Sequence, residues 1–292
     1  MLTFILQITA PATKNSLYCS FNLALVVEGG AMRGIFAAGV LDSFISNQHY
    51  DYDFCIGVSA GATNLVGYLG QKFNRSKKII TQYATKTEFI SFRRYLSGGH
   101  LCDVEWLWRE SFAQEALDSS LPIPMWVVTT ALQSGMANYH RMTLNSLNHE
   151  AIIASCAMPL AYRDYPIVNG NAMTDGGIAD SIPIEFAYQQ GARDITVILS
   201  QPKGYRKKPS YTLKLLRSIP KDFPNLHKAM MMRHEIYNKA LDFISSPPQD
   251  CTIRIIAPPK SFPVSRLTTS QKALEIGYDQ GVSQGMKYLL HN

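Results

Sequence analysis

Short runs of apolar residues alternate along the chain with segments in which apolar positions recur at helical spacing. Runs such as "LALVV" and "DITVILS" predict buried strands, because continuous aliphatic residues suit a strand that is covered on both faces. The predicted strands are residues 23–28, 53–57, 125–130, 137–142, 194–200 and 251–258. The predicted helices are residues 34–46, 60–69, 76–90, 103–117, 148–158, 211–218 and 224–244, a segment between Gly177 and Gly191, and a terminal helix from about residue 269. This order predicts a largely parallel sheet with helices on both faces.

A change in composition after Ser200 divides the chain. Residues 203–221 contain seven lysines and arginines and no acidic residue. Because no long flexible linker is present, we interpret residues 21–200 as an α/β domain and residues 201–292 as a mostly helical extension packed on it. The basic run has two interpretations, a solvated face or, with its interleaved tyrosines and leucines, transient contact with an anionic membrane surface.

Composition narrows the class of protein. The 292 residues are 46% hydrophobic with a net charge of +6, which is ordinary for a globular α/β protein and indicates no nucleic-acid partner. The five cysteines are widely spaced and form no CxxC pair, so neither a zinc site nor a disulfide framework is predicted. No cluster of Asp, His and Cys has metal-ligand spacing, and we expect no metal and no cofactor.

The apolar stretch within residues 1–16 differs from a signal peptide. Its first basic residue is Lys14, whereas a signal peptide carries positive charge before its apolar run. Elsewhere no uninterrupted apolar run approaches the ~20 residues that span a bilayer. We therefore expect a soluble, cytoplasmic protein whose contact with a membrane is at most peripheral.

The sequence "GVSAG", from Gly57 to Gly61, fits the pattern G-x-S-x-G between a predicted strand and a predicted helix. A serine in that position lies on a tight turn with its hydroxyl group exposed, and the following helix N-terminus favours negative charge nearby. The same pattern also occurs as a plain turn of small residues, so its context decides whether Ser59 is a nucleophile.

A glycine-rich turn, "EGGAMRG", ends the first predicted strand and exposes backbone N–H groups around Gly29, Gly30 and Gly34. A bound phosphate is the less favoured anion, because no Lys-Ser/Thr pair follows Gly34 and Ala31 occupies the middle glycine of the dinucleotide fingerprint. The favoured anion is the oxyanion of a serine-catalysed reaction, to which one good donor contributes roughly 3–4 kcal/mol.

A nucleophilic serine needs a base beside it. Of the seven histidines, His227 and His234 follow Ser59 in the order of an α/β-hydrolase triad, but both lie in a predicted helix. The sequence "MTDGG" offers Asp175 instead, followed by Gly176 and Gly177, which permit a close approach of the backbone. Asp-Gly is also an ordinary turn, and the motif alone does not separate the two readings.

Three ordered elements, "EGGAMRG", "GVSAGA" and "DGG", resemble the patatin-like phospholipases. The segment "HEAIIASCAMPLAYRDYPIVNGNAMTDGGIADSIPIEFA" is also similar to that family, and "YDQGVSQGMKYL" is similar to its short bacterial members. The resemblance covers about residues 23–200. It implies a three-layer α/β fold with a mainly parallel central sheet flanked by helices.

The resemblance further implies a Ser–Asp dyad without histidine. Ser59 would be the nucleophile, Asp175 the general base, and the amides of Gly29, Gly30 and Ala31 the oxyanion hole. The residues implied to support these motifs are Arg33, Gly34, Gly57, Gly61, Gly176 and Gly177. Arg33 has two roles to choose between, contact with an anionic head group or hydrogen bonds that hold the glycine turn.

Ala31 is a departure from the family pattern, which usually has glycine there. Alanine keeps the N–H donor, but a positive φ at this residue would strain the turn by about 1–2 kcal/mol.

We therefore predict a serine acyl hydrolase that cleaves carboxylic ester bonds of acyl lipids through an acyl-enzyme, as a phospholipase, lysophospholipase or esterase does. One alternative is a non-catalytic lipid-binding protein on the same fold, against which the intact motifs argue. Another is an acyl transferase, although acyl-carrier transferases of related architecture would be expected to have histidine in place of Asp175.

Overall fold

A computed structural model describes residues 22–117, 119–209 and 223–291. The apolar stretch in residues 1–16, the predicted helix 211–218 and residues 210–221 of the basic run lie outside the described residues.

Eight strands of the described residues form one sheet. They are β1 Leu23–Val27, β2 Phe54–Val58, β3 Met125–Ala131, β4 Ala137–Met142, β5 Ile167–Val168, β6 Asn171–Asp175, β7 Asp194–Ile198 and β8 Thr252–Ile256. Their order is β5-β6-β3-β2-β1-β7-β8, with β4 paired to β3. Neighbours among β1, β2, β3, β7 and β8 pair in parallel, whereas β4 and β6 pair with β3 in the antiparallel sense.

Helices cover both faces of the sheet. They are α1 Gly34–Ser46, α2 Ala60–Leu69, α3 Arg75–Lys78, α4 Phe92–Leu96, α5 Val104–Gln114, α6 His149–Cys156, α7 Ile184–Gln189, α8 Pro224–Ser245 and α9 Gln271–Leu289. Successive side chains of β1 point to opposite faces, so Leu25 and Val27 pack with α1, α2 and α6, while Ala24 and Val26 pack with α7 and α8. The predicted three-layer arrangement with a mainly parallel sheet is confirmed.

Two predicted helices are wrong in their extent. The helix predicted over residues 76–90 ends in a π-helical turn, Ile79–Tyr83. Beyond it, the guanidinium group of Arg94 donates to the carbonyl groups of Glu88, Phe89 and His100, which gives those backbone acceptors partners outside a helix. The helix predicted after Gly177 begins only at Ile184, because Pro183 at its N-cap carries no N–H group.

Strand β8 and helix α9 join residues beyond Ser200 to the sheet and to α1. A Cβ atom on Gly281 of α9 would overlap the carbonyl oxygen of Phe36 on α1, so the two helices touch backbone to backbone. Helix α9 thereby fixes the helix that begins directly after the glycine turn. None of the helices in residues 22–117, 119–209 and 223–291 combines the length and apolarity needed to cross a bilayer.

Candidate active site

Strand β3 brings Ser59 and Asp175 together. Val58, the last residue of β2, lies opposite Val128, and Asp175, the last residue of β6, lies opposite the next residue, Thr129. Since β4 occupies the other side of β3, β2 and β6 meet end to end along one side of it. Ser59 follows Val58 directly and so reaches the end of β6 where Asp175 lies.

The turn at Ser59 has an unusual backbone conformation. Ser59 has a φ of 51° and a ψ of −126°, a combination that a side-chain-bearing residue adopts only when its surroundings enforce it. The N–H of Ser59 donates to Oγ of Ser155 at 2.8 Å, and that hydroxyl donates to the carbonyl of Val128 at 2.6 Å. Ser155 on α6 thus ties the turn to β3 and holds Ser59 at the start of α2.

Hydrogen bonds hold both the side chain and the backbone carbonyl of Asp175. The N–H of Gly177 donates to Oδ1 of Asp175 at 2.7 Å, and the hydroxyl of Thr130 donates to its carbonyl at 2.9 Å. A Cβ atom on Gly176 would overlap the carbonyl of Val128, so only glycine permits this turn to lie against β3. These contacts hold the backbone at Asp175, and the N–H of Gly177 restrains its carboxyl group.

The environment of Asp175 makes it a stronger base than an exposed aspartate. Burial raises its pKa, and the raising effect exceeds the opposing effects of the Arg233 charge, the Gly177 N–H, a side-chain hydrogen bond with Ser59 and the Arg266 charge. A carboxylate with a raised pKa accepts a proton more readily. Ser59 lines the same cavity as Asp175, and its side chain interacts with this carboxyl group closely enough to oppose the rise in its pKa, a pairing that suits activation of a serine.

Cys156 lines the same cavity as Ser59, and the two side chains interact. Burial, and secondarily the charge of Asp175, raises the pKa of the Cys156 thiol to about 12. The thiol is therefore protonated near neutral pH, and a protonated thiol is a poor nucleophile.

The glycine turn lies directly against the Ser59 turn. A Cβ atom on Gly29 would come within 2.8 Å of the carbonyl oxygen of Val58 and 3.0 Å of Cβ of Ser59. Among the described residues, the N–H groups of Gly29, Gly30 and Ala31 have no hydrogen-bond acceptor. Three unpaired donors next to a serine hydroxyl can stabilise a developing oxyanion.

Ala31 has a φ of 51°, so the residue that departs from the family's usual glycine adopts the left-handed conformation. Two contacts hold this strained turn: the N–H of Arg33 donates to the carbonyl of Gly30 at 3.2 Å, and the N–H of Met32 donates to the carbonyl of Arg266 at 3.4 Å.

A buried network of hydrogen bonds supports the glycine turn. Arg33 donates from Nη2 to Oγ of Ser200 at 3.0 Å, and this hydroxyl donates to the carbonyl of Gly29 at 3.3 Å. The carboxylate of Glu28 accepts from the N–H of Ser200 and from the hydroxyl of Tyr237, at 2.7 and 3.1 Å. Through Ser200, the side chain of Arg33 is linked to the carbonyl of Gly29 in the glycine turn.

A cavity of about 320 Å³ contains both turns in its wall. Its polar wall includes Ser59, Asp175, Arg233 and Arg266. Its remaining wall is mostly apolar and includes Ile79, Ile80, Phe89, Val104, Leu107, Trp108, Ile152, Ile153 and Met158. Of the described residues that line it, none is a histidine; His227 and His234 lie elsewhere on α8.

Three residues of the site have no role in the sequence-based interpretation: Ser155, Arg233 and Arg266. Ser155 lies in "ASCA", within the segment that is similar to the patatin-like phospholipases, and that similarity was the signal by which it could have been found. Arg233 and Arg266 lie 58 and 91 residues after Asp175, and no local pattern links them to it. Within residues 22–117, 119–209 and 223–291, no group of three His, Cys, Asp or Glu side chains has an arrangement that could hold a metal ion.

Comparison with known families matches two parts of the chain. Residues 25–123 match the family described as patatin-like phospholipase, and residues 223–291 match a family described as a domain of unknown function, DUF6363. The first part contains the glycine turn and Ser59, Asp175 lies between the two parts, and the second contains Arg233 and Arg266.

Individual relatives extend the comparison to most of the chain. The chain is 33% identical over 281 residues to the uncharacterized protein YjjU of Escherichia coli, across 92% of this chain and 77% of that protein. It is 26% identical over 190 residues to lysophospholipase NTE1 of Mycosarcoma maydis, across 62% of this chain but 10% of NTE1. Among solved structures, VipD from Legionella pneumophila aligns with 12% identity and a TM-score of 0.48, covering 92% of this chain and 67% of VipD.

Proposed function

Because this chain belongs to the patatin-like phospholipase family, we propose that it is a lipid acyl hydrolase in which Ser59 and Asp175 act as a catalytic dyad. Family membership supports a lipid hydrolase in general, and cleavage of a carboxylic ester by this dyad is the finer part of the proposal. The observation that carries it is the placement of Ser59 together with the buried carboxyl group of Asp175 in the wall of one mostly apolar cavity.

Acylation begins with transfer of the Ser59 proton to Asp175 as Oγ bonds to the carbonyl carbon of the ester. The carbonyl oxygen becomes an oxyanion, which the N–H groups of Gly29, Gly30 and Ala31 stabilise by roughly 3–4 kcal/mol for one good donor. When the tetrahedral intermediate collapses, the alcohol or lysolipid leaves with the proton from Asp175, and the acyl group remains on Ser59.

Deacylation repeats these steps with water as the nucleophile. Asp175 takes a proton from water, the resulting hydroxide adds to the acyl carbon, and Oγ of Ser59 leaves with the same proton. A free fatty acid and the original enzyme result. The raised pKa of Asp175 suits both halves, since one group must accept a proton and then return it.

The remaining parts of the proposal concern the substrate and the organisation of the chain. The apolar side of the cavity suits an acyl chain. We assign catalysis to residues 21–200 and treat residues 201–292 as an extension that also lines the cavity. Peripheral contact with anionic membranes through residues 203–221 belongs to the proposal, with residues 210–221 outside the described part of the chain.

The nucleophile is tested with a short-chain p-nitrophenyl ester and with a fluorophosphonate probe. We expect the probe's mass on Ser59 alone and a loss of kcat of roughly 10⁴-fold or more in Ser59→Ala. Ser283→Ala, which alters an exposed serine on α9, is the matched control and should keep wild-type activity. Wild-type activity in Ser59→Ala would refute the assignment.

The base is tested by comparing Asp175→Asn with His227→Ala and His234→Ala. We expect only the first to lose hydrolysis, because the amide cannot accept the Ser59 proton. Asp279→Asn, at an exposed position on α9, controls for the loss of one carboxylate. An active Asp175→Asn protein beside an inactive histidine variant would replace the dyad with a triad.

A further inference from the structure

The cavity that contains Ser59 has an excess of positive charge. Its charged lining residues within the described part of the chain are Asp175, Arg233 and Arg266. Arg233 lies on α8, and Arg266 lies between β8 and α9. A single carboxylate, needed as the base, thus faces two guanidinium groups that can never lose their charge under ordinary conditions.

Much of this positive charge is without a protein partner. Arg233 donates from Nε to the carbonyl of Gly177 at 2.5 Å, and among the described residues its Nη groups have no acceptor. The side chain of Arg266 has no hydrogen bond or ion pair with any described residue. Five N–H donors in a planar fork that face a cavity are suited to a carboxylate or a phosphate.

Two further basic side chains, Arg33 and Lys207, lie near this pair, and the second is only partly charged near neutral pH. The charge of Arg33 contributes to lowering the pKa of Arg233. Burial, together with the charges of Arg233, Arg266 and Arg33 and against that of Glu28, lowers the pKa of Lys207 to about 7. Two carboxylates, those of Asp175 and Glu28, offset part of this charge, but the three guanidinium groups of Arg33, Arg233 and Arg266 exceed them by one. A positive charge that the nearby carboxylates do not balance is unfavourable in a partly buried site, so this cluster favours an anionic ligand.

We propose that Arg233 and Arg266 bind a phosphate group of the substrate next to the scissile ester, so that the protein selects acyl esters with a net negative head group. The proposal rests on the proposed hydrolase function. A quaternary ammonium group would meet the same cluster of cations, and a neutral glyceride would leave both guanidinium groups without an anion. The site therefore discriminates against zwitterionic and neutral esters.

The test compares three lipids that share one hexanoyl chain: lysophosphatidic acid, lysophosphatidylcholine and monoacylglycerol. All three are used below their aggregation limits, so that attraction to a charged surface contributes nothing. We expect the wild-type kcat/KM to be highest for lysophosphatidic acid. In Arg266→Gln and Arg233→Gln the ratio of this value to that for monoacylglycerol should fall about tenfold or more, the effect of losing a charge-assisted hydrogen bond.

Lys228→Gln is the matched control, because Lys228 is an exposed cation on the same helix as Arg233 and does not line the cavity. Its ratio should equal that of the wild type. The ratio is the decisive quantity, since damage to the dyad or to the fold would lower kcat/KM for all three lipids together. A wild-type kcat/KM for lysophosphatidic acid that does not exceed the values for both other lipids, or unchanged ratios in both arginine variants, would overturn the proposal.

A binding measurement separates this proposal from the hydrolase mechanism. Isothermal titration of Ser59→Ala with the same lipids should show tightest binding of lysophosphatidic acid, and about tenfold weaker binding when Arg266→Gln is added. If the wild type hydrolyses none of the esters, this result would still uphold the anion site while the proposed hydrolysis fails. Binding of inorganic phosphate as tight as that of the lipid would overturn a substrate role.

Discussion

Substitution of Ala31 by glycine tests whether the backbone of the proposed oxyanion turn is strained. At its φ of 51°, a residue with a side chain is destabilised by about 1–2 kcal/mol relative to an unstrained one. Glycine removes this strain, but it gives the unfolded chain more freedom, which costs about 0.4–1 kcal/mol. We therefore expect Ala31→Gly to leave the free energy of unfolding unchanged or to raise it by up to about 1.6 kcal/mol.

The same substitution in a helix supplies the control. Ala113 is exposed within α5, where glycine lowers stability by up to about 1 kcal/mol, a value that includes the same gain of freedom in the unfolded chain. The difference between the two variants therefore isolates the strain at Ala31 and should be about 1–2 kcal/mol. Urea unfolding followed by circular dichroism measures both. Equal destabilisation by the two substitutions would show that Ala31 is not strained.

Activity adds a second measurement on Ala31→Gly. Because the N–H at this position is retained, kcat/KM for a p-nitrophenyl ester should fall by less than about tenfold, whereas loss of an oxyanion donor reduces kcat by about 10²–10³-fold. A loss in that larger range would mean that the alanine side chain itself, and not only its N–H, holds the turn in its active form.

Three further substitutions test other parts of the structure. Gly281→Ala should destabilise the protein by about 1–3 kcal/mol in urea unfolding, because its new methyl group overlaps the backbone of α1. Arg233→Gln removes a charge that lowers the pKa of Asp175, so this pKa rises; since the base must be deprotonated, the acid limb of the pH profile of kcat/KM should move to higher pH. Ser155→Ala leaves the N–H of Ser59 without its partner, which should lower stability by about 1–3 kcal/mol and reduce kcat for the p-nitrophenyl ester.

Each of these has a control in the same kind of element. For Gly281→Ala the control is Ser283→Ala on α9, which should leave stability unchanged. For Arg233→Gln it is Lys228→Gln on α8, which should leave the acid limb in place. For Ser155→Ala it is Ser245→Ala, which removes a hydrogen bond of an exposed serine on α8 and should not affect kcat. A stable Gly281→Ala protein, an acid limb that stays or moves to lower pH in Arg233→Gln, or an unaltered kcat in Ser155→Ala would each contradict the corresponding contact.

The central strands and their flanking helices could be predicted because their signals are local. Helices Gly34–Ser46 and Ala60–Leu69 were predicted with the bounds that the structure has, since a glycine turn or a serine turn precedes each one. Strands β5 and β6 could not, because "NAMTD" has neither an apolar run nor alternation and is held by its pairing with β3. The prediction of a helix up to residue 90 failed because side-chain bonds of Arg94 satisfy the backbone there instead.

The candidate site likewise contains residues that could be predicted from the sequence and residues that could not. The turns around Ser59, Asp175 and Ala31 are visible as motifs, because each needs small residues beside it. Arg233 and Arg266 are not visible, because what places a guanidinium group in the cavity is the packing of α8 and of the segment after β8 against the finished sheet. The spacing of residues along the chain does not indicate which side chains this packing brings to the cavity.

The attachment of the glycine turn to the far end of the chain also bears on protein synthesis. The hydroxyl that binds Glu28 belongs to Tyr237, 209 residues downstream, and the carbonyl that receives the N–H of Met32 belongs to Arg266. A nascent chain that has emerged from the ribosome through Asp175 therefore contains both Ser59 and Asp175 while its glycine turn still lacks these partners. The glycine turn therefore obtains its last hydrogen-bond partners only when most of the chain has been synthesised.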